Sequence, residues 1–149
     1  MPRLRIWSDE TGTAPLEFIL GGLLLLVPLA YLIVSLGLIQ EQSLGVESGA
    51  RHVARALATA PDADAARERA DAVAAAIADE YGIDPDELEL KISCRPEGEC
   101  PRAGATLVVT VSTRVSLPLA PPVLDLDRLA SVPVSATSAA KVSRIWGVG

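Results

Sequence analysis

The sequence has almost none of the residues from which most active sites and metal centres are built. Its 149 residues include one histidine and two cysteines. The histidine, His52, lies beside Arg51 and Arg55 with no Cys or Ser nucleophile motif nearby, so we expect a surface residue rather than a catalytic base. One imidazole and the thiols of Cys94 and Cys100 are too few to complete a tetrahedral zinc site.

Motifs for nucleotide binding and nucleophilic catalysis are also missing. There is no P-loop, no G-x-G-x-x-G and no G-x-S-x-G. The acidic pairs Asp62/Asp64 and Asp125/Asp127 do not continue into a calcium-binding loop. The segment from Asp84 to Glu87 is typical of a capped turn, with Asp84 as the cap. We therefore expect no enzyme activity, no cofactor and no metal, with solvated turns at the acidic pairs; a metal ion held by chance at one of them is the alternative.

An excess of basic charge is absent as well. The formal net charge is -6, and residues 61–100 contain twelve Asp or Glu against four Arg or Lys, a local net charge of -8. A nucleic-acid-binding surface needs the opposite sign to neutralise phosphates. Anionic lipid headgroups would be repelled by this region for the same reason. Neither is expected as a partner of this acidic region.

One long apolar run, by contrast, dominates the N-terminal third. Phe18 to Ile39 is an uncharged stretch of 22 residues. As a helix it would be roughly 33 Å long, enough to cross a hydrocarbon core of about 30 Å. A core helix of a soluble protein normally keeps one polar side. We therefore predict a transmembrane helix over residues 13–39, and a removed signal peptide is a weaker alternative because no small-x-small cleavage site follows closely.

The helical pattern continues beyond the apolar run. A spacing of three to four residues between apolar positions extends the first helix to about Ala58, as a juxtamembrane extension over residues 40–60. Pro61 and Asp62 then interrupt it, and a second, amphipathic helix is expected from roughly Ala63 to Tyr81, ended by Gly82. Its apolar stripe is rich in alanine, which allows a close neighbour: Ala66, Ala70, Val73, Ile77 and Tyr81.

The last part of the chain changes to the two-residue period of strands. Alternation predicts one strand around Leu88 to Cys94, a second from Thr106 to Leu117 and a third from Val132 to about Val142. The expected fold is α+β, with a long N-terminal helix and an extracytoplasmic domain over residues 61–149. Between the last two strands, the proline-rich apolar segment Leu117–Leu124 is expected either at a membrane or partner surface or folded over its own core.

The two cysteines fall at the end of the first predicted strand and in the link that follows. In an exported domain, Cys94 and Cys100 are expected to form a disulfide. The bridge would close a short loop and stabilise the fold by about 2 kcal/mol in the chain-entropy model. Two free thiols are the alternative.

One charge sits at the edge of the apolar run. Glu17 directly precedes Phe18, and a carboxylate there is costly unless it is paired or close to the interface. Gly12 lies five residues upstream. Cleavage after Gly12 would give Thr13 a charged amine and make Glu17 the fifth residue, so that amine and carboxylate of neighbouring copies could neutralise each other. The alternative is a helix-start residue at the headgroups, favoured by the helix dipole.

This arrangement resembles the prepilin signal of type IV pilus systems. The leader would be residues 1–12, with cleavage between Gly12 and Thr13. Further stretches resemble the TadE-like minor pseudopilins of tight-adherence (Flp) pilus systems: Leu16-Glu-Phe18, Leu26-Val-Pro28, Glu47-Ser-Gly-Ala-Arg51, Val53-Ala-Arg55 and Val132-Pro-Val-Ser-Ala-Thr137. The chain departs from the pattern at Asp9 and Glu10, where such leaders are usually basic, and at Pro15.

The resemblance implies a structural pilus component held in the cytoplasmic membrane, with its N-terminus in the cytoplasm. It also implies its partners: a membrane prepilin peptidase, other pilins and pseudopilins that contact the apolar helix, and an ATPase-driven assembly platform. The alternative from a different class is an uncleaved, signal-anchored extracytoplasmic binding protein. That alternative has the same topology but no role for Glu17 in assembly.

Overall fold

The computed structural model describes residues 14–118 and 130–146 of the chain. Two α-helices come first, α1 (Ala14–Ala58) and α2 (Ala63–Glu80), followed by a short 3₁₀ helix at Pro85–Glu87. Three strands complete the fold: β1 (Glu89–Arg95), β2 (Thr106–Ser116) and β3 (Ser131–Lys141). The predicted α+β class, with one long N-terminal helix, one amphipathic helix and three strands, is confirmed.

Helix α1 is continuous through two different environments. Its 45 residues would span roughly 68 Å at ~1.5 Å per residue. In the first half, large apolar side chains such as Leu24 and Ile33 are exposed, and Pro28 lies within the helix. In the second half, one face is fully buried, from Val46 to Leu57. Within the described residues, α1 is the one helix long and apolar enough to cross a membrane, by length and composition.

Helix α2 packs closely against the second half of α1. Asp62 caps it: its carboxylate accepts a hydrogen bond from the Ala65 N–H at 2.8 Å. Gly82 follows its end with a φ of 59°, a left-handed conformation that costs glycine little. The buried residues of α2 are mostly alanine, as its sequence pattern predicted: Ala66, Ala70, Ile77 and Ala78.

Glycines on α1 make this close approach possible. A Cβ at Gly45 would lie 2.8 Å from Cγ of Tyr81, at the end of α2, which is closer than side-chain carbons approach each other. A Cβ at Gly49 would lie 3.5 Å from Cγ2 of Ile77, an ordinary contact. The absence of a side chain at Gly45 therefore leaves the space into which Tyr81 packs.

The sheet has the order β1-β2-β3, with both neighbouring pairs antiparallel. One face of β2 is fully buried and carries the core: Leu107, Val109, Val111, Thr113 and Val115. The other face carries mainly serine and threonine, among them Thr110 and Thr137, whose hydroxyls lie 3.0 Å apart across the β2–β3 pair. Helix α1 covers the buried face over β2 and β3.

Strand β1 is less buried than its alternating pattern suggests. Cys94 is buried, but Leu90 is only partly covered and Ile92 is 38% exposed. The physical reason is position: β1 is an edge strand, and among the described residues neither helix packs extensively on it. A period of two fixes which side chains share a face but not whether that face is covered.

Some sequence predictions fall outside the described residues. These are the leader with its cleavage site at Gly12 and Thr13, the acidic pair Asp125/Asp127, and most of the proline-rich segment between β2 and β3. They stay predictions.

Candidate functional site

The candidate site is the first turn of α1, where Glu17 lies. The helix begins at Ala14, which places Glu17 in its first turn. The positive end of the helix dipole favours a carboxylate at this position. Pro15 fits the same turn because its missing N–H would have had no helical acceptor. The local sequence thus explains how a charge stands at the start of an apolar helix.

The surroundings of Glu17 are apolar and open. Together with four neighbours on one side of α1, it lines a shallow groove of about 460 Å³: Leu16, Leu20, Gly21 and Leu24. Phe18, the next residue, is 82% exposed. No ion pair or hydrogen bond of the Glu17 side chain occurs with any residue in 14–118 or 130–146. Its charge has no compensating group within the described part of the chain.

The exposed apolar surface extends from this site along the whole first half of α1. The side chains of at least half exposure include Leu16, Ile19, Leu20, Leu23, Leu24, Leu25, Leu26, Val27, Leu32, Ile33, Val34 and Leu36. They surround the helix instead of forming a stripe, so water is an unfavourable environment for every side of it. A lipid bilayer or a bundle of similar helices is the environment that such a surface fits.

Ser35 breaks this apolar surface. It is buried, with 6% exposure, and its hydroxyl has no hydrogen-bond partner among the described residues. No motif in the sequence indicates it. A lone serine in an apolar run carries no period or motif, so no sequence signal distinguishes it from a tolerated small residue.

The polar groups considered as catalytic candidates are not assembled into a site. His52 is exposed on α1, and its Nδ1 lies 3.2 Å from Oγ of Ser48. Beside it, Arg51 forms an exposed ion pair with Glu47 one turn away. Asp84 accepts a hydrogen bond from the Asp86 N–H at 3.0 Å, the expected capped turn. In the described ranges, no group of three or more His, Cys, Asp or Glu side chains could hold a metal ion.

The two cysteines form the expected disulfide. Cys94 and Cys100 are bonded, with their Cα atoms 5.5 Å apart. Cys94 is buried in the core at the end of β1, whereas the loop after it is mostly exposed. Arg102 helps to order that loop by donating a hydrogen bond to the Pro96 carbonyl at 2.8 Å. The bridge therefore ties a surface loop to the hydrophobic core.

A second concave surface lies at the end of the sheet near the start of β1. It is an open groove of about 800 Å³, with polar and charged residues such as Asp86, Glu89, Ser112 and Arg114 in its walls. The carboxylates and the guanidinium are exposed, so water screens their charges. Within residues 14–118 and 130–146, the groove is open to solvent.

Comparisons with models of known protein families, with curated proteins and with solved structures found no match. The features that distinguish the described chain are Glu17, which has no partner among the described residues, and the exposed apolar half of α1; both belong to the helix that also forms the core of the domain.

Proposed function

We propose that this chain is a structural, non-enzymatic pilus component similar to the TadE-like minor pseudopilins. The observation that carries the proposal is the division of α1. Its first half is an apolar rod with a single carboxylate at its start, and its second half is the central element of a small α+β domain. One uninterrupted helix thus joins a membrane or bundle segment to an exposed head. Assembly through a shared helical bundle requires such a helix, with one part free to pack on other subunits and the other part fixed to a folded domain.

In the proposed topology, the start of α1 lies at the cytoplasmic side and the domain lies outside. The disulfide between Cys94 and Cys100 supports this orientation, because such bonds persist in oxidising extracytoplasmic compartments and are rare in the cytosol. The acidic surface of the domain agrees with a location away from anionic lipid. The protein would wait in the cytoplasmic membrane as a single-pass protein.

Processing would then create the assembly site. A prepilin peptidase would cut between Gly12 and Thr13, leaving a protonated amine four residues before Glu17. Inside a bundle of apolar helices, either charge alone is strongly unfavourable, whereas an amine paired with a neighbour's carboxylate is tolerated. Glu17 therefore sets the axial register between neighbouring helices, because they pack stably only where its carboxylate pairs with an amine.

Three kinds of partner follow from this proposal. The peptidase reads the leader and Gly12. Other pilins or pseudopilins pack on the apolar surface of α1 around Glu17 and Phe18. The assembly platform moves the packed subunits out of the membrane. The uncleaved, signal-anchored binding protein is the competing reading, and it needs no peptidase and no packing partner for α1.

The experiment is intact mass measurement of the membrane-purified protein after co-expression with a prepilin peptidase from the same cell. The expected chain begins at Thr13. Gly12→Leu is the matched control, since it blocks the cut while leaving the apolar run unchanged, and its chain should keep the leader. A wild-type chain that still begins at Met1 or Pro2 contradicts the proposal and favours the signal anchor.

A further inference from the structure

From Ser135 to Lys141, the outer edge of β3 has backbone groups that pair with no other strand of the described sheet. The hydrogen bonds Leu117 N–H to Ala130 O and Val142 N–H to Ala105 O continue the β2–β3 register at its two ends. Hydrogen-bonded pairs in an antiparallel ladder recur at every second residue. The even-numbered residues of β3 therefore bond to β2, and the odd-numbered residues Ser135, Thr137, Ala139 and Lys141 direct their N–H and C=O groups outward. From Ser135 to Lys141 these odd-numbered residues are exposed.

This edge lacks the usual protection against strand addition. Proteins commonly guard exposed edges with charged side chains, prolines or short strands. β3 is 11 residues long, and the ten residues Ser131–Ala140 carry no charge. Pro133 interrupts only its beginning. The other edge strand, β1, is shorter and carries Glu89, Lys91 and Arg95. Within the described residues, β3 is thus the less protected of the two edges.

β1 offers the complementary feature. The register Glu89↔Ser112 places its odd-numbered residues in hydrogen-bonded pairs with β2, so Leu90, Ile92 and Cys94 direct their backbone groups outward. Among these even-numbered residues of β1, Ile92 is 38% exposed because no helix covers β1 extensively within the described chain. α1 instead lies over β2 and β3. A β1 strand placed beside β3 would therefore come next to the helix that its own chain does not supply.

The direction of α1 decides which pairing of two copies can form in a membrane. A helix packed on a sheet lies roughly parallel to the plane of that sheet. Antiparallel pairing of β3 with a second β3 needs a two-fold axis perpendicular to the sheet, and that axis reverses the direction of α1. The two apolar halves would then point in opposite directions. Two copies inserted the same way into one membrane cannot adopt this arrangement.

We propose that a second copy of this chain docks its β1 in parallel alongside β3, so that neighbouring copies form a continuous sheet with all α1 helices pointing the same way. β1 and β3 run parallel within one chain, so a sideways shift of one copy brings them together without any reversal. The contact is head-to-tail, and it leaves a free β3 edge for the next copy. The inference rests on the membrane topology of the proposed function.

The experiment is cysteine cross-linking between two differently tagged full-length chains in one membrane. One chain carries Ser135→Cys or Ala139→Cys on β3, and the other carries Glu89→Cys or Lys91→Cys on β1. All four positions lie on the polar face of the sheet, where neighbouring side chains are about 5 Å apart, so a short bis-maleimide can join them. Cross-links are expected for at least one β3–β1 combination and only in mixed samples. Links between two β3 strands, or none for any combination, overturn the proposal.

A substitution at the edge tests the hydrogen bonds themselves. Ala139→Pro removes one outward N–H, in the same alternation as the natural Pro133, and leaves the bonds to β2 in place. In chains that carry the β3 cysteine at Ser135→Cys, cross-linking should fall about fivefold, equivalent to ~1 kcal/mol at 1.4 kcal/mol per tenfold change. Ala139→Ser keeps the N–H and should cross-link like the parent. Equal cross-linking in both variants overturns the proposal.

Alkaline carbonate extraction of the same membranes distinguishes a failure of the strand pairing from a failure of the membrane topology. A chain that remains in the pellet but gives no β3–β1 link leaves the membrane reading intact and removes the strand pairing alone. If carbonate extracts the chain, the membrane topology is wrong, and both proposals that depend on it fail.

Discussion

The two halves of α1 have the same backbone conformation and opposite surroundings. Before about residue 40, large side chains such as Leu24 and Leu25 are exposed on all sides. Beyond it, small residues at Gly45, Gly49 and Ala50 form a face on which α2 and the sheet pack. Helix formation does not distinguish them. What differs is whether the side chains form two faces, because only a helix with a distinct face can be buried by its own chain.

The largest expected effect comes from truncating a leucine in each half. Leu57 is 1% exposed, whereas Leu24 is 78% exposed. Leu57→Ala should lower the free energy of unfolding of the domain by about 2–5 kcal/mol, since it removes buried methyl groups and leaves a cavity. Leu24→Ala should leave that free energy unchanged. The measurement is urea unfolding of the full chain in detergent, followed by circular dichroism.

The comparison fails if the two substitutions have equal effects. A destabilisation by Leu24→Ala would mean that the first half of α1 packs on the domain in solution. An unchanged free energy for Leu57→Ala would mean that the second half is not the core.

Removing the disulfide should have an intermediate effect. The double substitution Cys94→Ser with Cys100→Ser releases the loop from the core and should lower the free energy of unfolding by about 2 kcal/mol. The amount of protein in the membrane fraction should not change, because insertion depends on the first half of α1. Peptide mapping without reductant gives the direct check on the parent protein; two free thiols there would contradict the bond and weaken the extracytoplasmic assignment.

The smallest effect distinguishes two glycines of the same helix. A Cβ at Gly45 would press on Tyr81, whereas a Cβ at Gly22 meets nothing within 4 Å. Overpacking at Gly45→Ala costs about 1–3 kcal/mol, offset in part by up to ~1 kcal/mol of helix propensity. We expect a net loss of about 1 kcal/mol in thermal unfolding for Gly45→Ala and none for Gly22→Ala. A stabilised Gly45→Ala variant would show that α1 and α2 can separate at no cost.

Much of the fold could be predicted because its elements have clear periods. The alternation through Leu107, Val109 and Val111 identified β2, and the alanine stripe of α2 indicated a close neighbour. Gly45 and Gly49 lie four residues apart and face α2, and such a spacing of small residues is typical of close helix packing. The exposure of Ile92 could not be predicted, because the order of strands and the placement of α1 are properties of the tertiary fold.

For the candidate site, the sequence predicts the residue but not its partner. Glu17 stands out in the sequence as the charge that borders an apolar run, and the structure places it in the first turn of α1 with no partner among the described residues. Cleavage at Gly12 lies outside those residues and stays a prediction. In the proposed assembly, Glu17 pairs with a group on another copy or another protein.

The central claim is that Glu17 serves assembly and not insertion, and one measurement tests it most directly. Glu17→Ala and Glu17→Gln are expressed with the other pilus components, and membrane level and co-purification with other pilins are quantified together. Membrane levels should match the parent, since losing a carboxylate can only ease insertion, by up to roughly 2.5–3.5 kcal/mol at the bilayer centre.

Assembly should fail in both variants, because the Thr13 amine would be buried without a partner at a cost of about 3–5 kcal/mol. Glu17→Gln keeps the size and hydrogen-bonding capacity of the side chain, so its failure would assign the effect to charge. Normal membrane levels with co-purification lost is the result that the account predicts. Parental co-purification by both variants would contradict it and leave Glu17 as a helix-start residue at the membrane surface.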